Sequence, residues 1–106
     1  MPKFMLEATY TAEGFKGLAK DKASGRKAVV AQAAKKLGGK LEAMYFCLGD
    51  TDVILIADLP DHVTAAAFAS VACASGTVRT KTTALLTVDE ADEALSKPVA
   101  YRAPGA

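Results

Sequence analysis

Five consecutive apolar residues, Val53-Ile54-Leu55-Ile56-Ala57, stand between the turn-forming Gly49-Asp50-Thr51-Asp52 and the breaker Pro60-Asp61. A run this short and this β-branched is a strand. With Val53, Leu55 and Ala57 on one side and Ile54 and Ile56 on the other, neither face suits water. The strand must therefore lie inside a sheet that is covered twice. A chain of 106 residues, 51% apolar and 24% charged, holds one core and one domain, which excludes an enzyme with an interdomain cleft.

The other elements follow from period and punctuation. Phe4 to Tyr10 alternates, with Phe4, Leu6, Ala8 and Tyr10 on one face and Met5, Glu7 and Thr9 on the other, which predicts the first strand. Thr11 to Gly17 reads as a helical turn or loop that Thr11 can cap and that Gly14 and Gly17 weaken. Val29, Val30, Ala33, Ala34 and Leu37 recur at three- and four-residue spacing, predicting an amphipathic helix over 23–37, and Gly38-Gly39 ends it in a left-handed cap. Lys40 to Leu48 predicts a second strand, joined as a hairpin to the run beginning at Val53.

Asp61 caps a second helix with Val63, Ala66, Ala67, Phe68, Val71 and Ala72 as its apolar stripe, closed by Ser75-Gly76. Val78 to Leu86 predicts a fourth strand. Asp89 to Lys97 predicts a short acidic helix, and 98–106 is a tail. The order βαββαβ is that of an α+β, ferredoxin-like domain over 1–97, in which a four-stranded antiparallel sheet carries both helices on one face. Cys47 and Cys73 lie in apolar segments and read as small buried hydrophobes, too few for a disulfide scaffold.

Two helices on one face leave the other bare. Ile54 and Ile56, with Met5 and Met44 or Phe46 beside them, would each forgo about 2 kcal/mol in water. A second copy of the sheet is the simplest cover, so the expectation is self-association as a homodimer, sheet on sheet, or as a higher oligomer. Glu7 and Lys81 or Arg79 share this face. They can pair as a register device within the interface, or anchor a small acid or carbonyl compound in a cavity between sheet and helices or between subunits.

Thirteen Lys and Arg against twelve Asp and Glu leave a net charge of +1, which excludes a nucleic-acid partner. No apolar run approaches the roughly 18 residues of a membrane span, and Met1-Pro2-Lys3-Phe4 does not begin a signal peptide, so the expectation is a cytoplasmic protein with no membrane partner. His62 is the only histidine and falls at the surface start of a helix, so no metal and no cofactor are expected. Gly38-Gly39-Lys40 follows a helix and fits neither a phosphate loop nor a dinucleotide fingerprint. Asp50 and Asp52 could bind a cation or act as acid and base, although aspartates at a tight turn ordinarily bond their own backbone. The candidate ligand-binding residues are Tyr10 and Tyr45, phenols with an apolar body, together with Arg79 and Lys81. No serine, cysteine and histidine constellation points to an activated nucleophile.

The stretch Gly38-Gly39-Lys40-Leu41-Glu42-Ala43-Met44-Tyr45-Phe46-Cys47-Leu48-Gly49-Asp50-Thr51-Asp52, followed by an apolar strand, Pro60-Asp61, an alanine-rich helix and Gly76-Thr77-Val78-Arg79-Thr80-Lys81-Thr82, resembles the GYD domain family over residues 3 to 88. In that family a glycine, a tyrosine and an aspartate mark the hairpin; here Gly49 and Asp52 hold the ends and Thr51 stands where the tyrosine is usual. The resemblance implies a bacterial protein of the dimeric α/β-barrel superfamily and supplies no established catalytic set. Two functions are open: a non-enzymatic oligomeric module for a small organic ligand, or a cofactor-independent monooxygenase or isomerase. The second needs a carboxylate raised towards neutrality by burial, for which Glu7 and Asp52 are the candidate catalytic residues. A haem enzyme would have only His62 to offer the iron.

Overall fold

Alternation carries β1 through Lys3–Tyr10 in the computed structural model, which describes residues 1–106. It is followed by α1 (Ala12–Lys36), β2 (Lys40–Phe46), β3 (Val53–Asp58), α2 (His62–Ala74), β4 (Val78–Leu85) and α3 (Val88–Ser96). The strands order β2-β3-β1-β4, all neighbours antiparallel, so β1 and the doubly apolar β3 are the central pair. The domain is thus the expected α+β, ferredoxin-like βαββαβ arrangement, with a C-terminal helix added. Residues 98–106 carry no helix or strand.

The core forms where the inward faces of β1 and β3 meet the helices. Phe4, Leu6, Leu55, Ala57, Leu59 and Ala65 make one buried cluster, against which Val30, Leu41, Met44 and Phe68 pack. Leu6, Val30, Ala34, Leu55 and Phe68 close around no space that a water could enter. Beneath the middle of the sheet there is therefore no ligand cavity.

Local chemistry sets the element ends. The Thr11 side chain accepts from the Gly14 N–H at 3.1 Å and caps α1. The α1 terminus is a full left-handed cap: Gly38 has φ +83, its N–H donates to Lys35 O at 3.0 Å, and Gly39 N–H donates to Ala34 O at 2.9 Å. Asp61 caps α2 by accepting the Thr64 N–H at 2.8 Å. Thr87 and Glu90 form a reciprocal capping box at α3.

Four expectations need correction. The first helix begins at Ala12, with a break at Lys22 (φ 65, ψ 163), instead of at residue 23. The glycine that lowers helix propensity there is required: a Cβ on Gly14 would collide with the Thr77 carbonyl, to which Thr11 N–H also bonds at 2.9 Å. Second, the apolar residues of both helices split between two faces. Val30, Ala34, Ala65 and Phe68 point to the core, whereas Val29, Val63 and Val71 are exposed. Third, a bulge between Leu41 and Ala43 resets the alternation of β2, so that Met44 and Phe46 pair with Leu55 and Val53 on the helix side and Ala43 and Tyr45 face outward. Fourth, Cys73 is exposed and Cys47 half-buried. The Cys73 thiol meets the Thr80 hydroxyl at 3.4 Å, and that hydrogen bond holds its pKa below the ordinary value.

Candidate functional site

Register turns the helix-free face of the sheet into a grid. One row runs Tyr45, Ile54, Glu7, Lys81 from β2 to β4, and the next runs Ala43, Ile56, Met5, Thr83. A third row, Lys40, Asp58, Lys3, Leu85, lies near the end of β4. At the opposite end Thr9 stands opposite Arg79. The centre of the face is therefore Ile54, Ile56 and Met5, half-buried with nothing of this chain layered above them.

The two ends differ in charge satisfaction. Lys3 Nζ donates to Asp58 Oδ1 at 2.9 Å and to Glu42 Oε1 at 3.2 Å. The hydrogen bond to Asp58, then that to Glu42, raises its pKa above the ordinary lysine value. The remaining ion pair of the molecule is Lys97–Glu93, which leaves Glu7, Arg79 and Lys81 without one. These three residues line a depression of about 260 Å³ together with Thr9, Thr51 and Thr80, all six polar. Two unneutralised cations suit an oxygen-rich anion whose apolar part can lie towards Ile54, while the Glu7 carboxylate opposes it and the Thr9 and Thr80 hydroxyls already bond Asp50 and Cys73.

The structure brings some of the sequence candidates together and separates others. Glu7, Arg79 and Lys81 share the depression, and Tyr45, on the edge strand, occupies the row of Glu7 and Lys81 beyond Ile54. Tyr10 is on the opposite face. Its ring lies 5.4 Å from that of Phe15, and it lines a separate cleft of about 320 Å³ beside Gly14 and Val78.

Asp52 joins the hairpin to β1. Its carboxylate accepts the Tyr10 N–H at 2.8 Å, its own N–H donates to Ala8 O at 3.0 Å, and its carbonyl accepts the Cys47 N–H at 2.8 Å. His62 is exposed, with its ring edge-on to Phe4 at 5.5 Å. No cluster of three His, Cys, Asp or Glu side chains is placed to hold a metal ion, and no helix is long and apolar enough to cross a membrane.

Thr9 and Thr51 were not singled out by sequence reasoning. Thr9 was legible as an outward residue of β1, but the approach of Thr51 depends on how the hairpin folds back, through the Thr9 hydroxyl donating to Asp50 O at 3.2 Å.

The sequence model of the GYD domain family matches residues 4–95, which takes in the whole sheet and the helices on it. No curated protein and no solved structure matches the chain.

Proposed function

Because the chain belongs to the GYD domain family, we propose that it is a cytoplasmic homodimeric module that binds a small organic acid on the helix-free face of its sheet, where two subunits pack sheet on sheet. The observation that carries this reading is the pairing, on one face, of an uncovered Ile54, Ile56 and Met5 centre with the unneutralised Arg79 and Lys81 at its end. Packing a second sheet over the isoleucines contributes about 2 kcal/mol per large side chain. The same packing roofs the depression and removes competing water from the cations, which strengthens their bonds to a carboxylate.

Two measurements test the reading. Light scattering should give twice the 11.0 kDa chain mass at micromolar concentration. A thermal-shift screen of small carboxylates and phosphates should find one that raises the melting temperature by mass action, worth roughly 2.7 kcal/mol at a hundred times Kd. A monomer that no anion stabilises overturns it.

A second reading has its own support. Glu7 stands half-buried opposite Lys81 without an ion pair, and in this reading it takes a proton from a substrate that Arg79 and Lys81 hold. A cofactor-independent monooxygenase or isomerase would use it as the base. Turnover of an enolisable substrate that Glu7→Gln abolishes, with the dimer intact, would establish this; turnover unchanged by that substitution would remove it.

A further inference from the structure

The helix-free face is not the only apolar surface without a cover. Each helix of the sheet turns a second apolar side outward, and between them Val29, Ala33, Leu37, Phe68 and Val71 line an open groove of about 420 Å³. Its rim is basic, with Arg26 and Lys36 as its only charged residues. The groove follows α1 for roughly 16 Å at about 1.5 Å per residue.

α3 is the complementary object. Its nine residues make a rod of roughly 13 Å, none of them buried. Val88 and Leu95 are 79% and 85% exposed, and with Ala91 they fall on one helical stripe. Asp92 lies beside that stripe, Asp89, Glu90 and Glu93 lie behind it, and the helix carries no basic residue. The molecule measures 56 Å along its long axis, and its radius of gyration of 16.8 Å exceeds the roughly 13 Å of a compact chain this long.

We propose that α3 of one copy docks in the α1–α2 groove of a second copy, Val88 and Leu95 against Val29, Phe68 and Val71, with the acidic α3 held against the basic groove of Arg26 and Lys36. Length, apolar stripe and sign of charge match. The match is of opposite sign, acid on the rod and base on the rim, so the contact selects this partner over two grooves or two rods meeting each other. One such contact is small, and exchange between two copies makes it twice. It lies on the other side of the sheet from the isoleucine face, so it adds an assembly contact distinct from the sheet-on-sheet one.

Charge reversal in the full chain tests it. R26E/K36E gives an acidic rim facing an acidic rod, and D89K/D92K gives a basic rod facing a basic rim. Either variant alone should raise the dissociation constant of this contact at least tenfold in sedimentation velocity, with unchanged circular dichroism. Mixing the two should restore the wild-type assembly, because every rod then finds a rim of opposite sign in the other species. Variants that sediment as wild type, or a mixture that does not recover, overturn the proposal, and the second result is what docking of α3 in its own groove would produce. Ile54→Lys on the opposite face should leave the recovery on mixing intact, which separates this contact from the sheet-on-sheet dimer.

Discussion

Glu7 and Lys81 stand directly opposite one another across the β1–β4 ladder, and no ion pair joins them. Directly opposed side chains of opposite charge are within reach on one sheet face. Neither head bonds another side chain, so the expected register pair is instead a set of available groups. At the other end of the same face Lys3 is doubly paired. The contrast locates binding capacity at one end of the sheet.

Removing the cations should therefore weaken binding of the stabilising acid with little effect on folding. A charge-assisted hydrogen bond contributes roughly 1.5–3 kcal/mol, so Lys81→Gln or Arg79→Gln should each lower affinity at least tenfold in isothermal titration. Glu7→Gln, which deletes the like charge facing the ligand, should leave that affinity equal or higher. An unchanged Kd in both cation variants would place the ligand elsewhere.

Ile54→Lys and Ile56→Lys should convert the sheet-on-sheet dimer to monomer. Neither isoleucine belongs to the buried cluster built from Phe4, Leu6, Leu55, Ala57, Leu59 and Ala65, so the fold survives the charge. Leu55→Lys, one residue away, should instead prevent folding, since it buries an unpaired ammonium. Light scattering with circular dichroism distinguishes the two outcomes.

Asp52→Ala should destabilise the hairpin by roughly 1.5–3 kcal/mol, because the Tyr10 N–H loses its carboxylate acceptor. Urea denaturation gives the value. Ligand affinity, measured on the same variant below its unfolding transition, should fall less than in the Arg79 or Lys81 variants.

Acid should weaken the helix starts. The Thr64 backbone N–H, then its hydroxyl, holds Asp61 below its ordinary 3.8, and the Thr87 backbone N–H does the same to Glu90 below 4.5. A carboxylate harder to protonate when folded stabilises fully above its unfolded pKa, and the contribution is lost as pH falls through the lower folded value. The urea midpoint of the wild type should therefore drop more steeply than that of Asp61→Asn as the pH falls below about 4, since asparagine caps without titrating. Parallel profiles would show that the cap contributes nothing through its charge.

Much of this molecule is written locally. Period-two alternation placed β1 and β3, the caps at Thr11, Asp61 and Gly38-Gly39 are side-chain or φ properties of single residues, and the apolar run at Val53–Ala57 alone required a central strand. A strand pattern or a cap is decided within a few residues, so reading the chain in order suffices for it. The tertiary structure decided what depends on distant partners. The bulge between Leu41 and Ala43 swapped Met44 for Tyr45 on the open face, and Gly14 became a close-approach residue only because Thr77 lies against it. The rotation of α1 and α2 divided their apolar residues between core and groove. Thr51 reached the depression of Glu7, Arg79 and Lys81 only through the folding back of the hairpin. Those outcomes balance pairing energy between segments far apart in the chain, and no local window contains both sides of that balance.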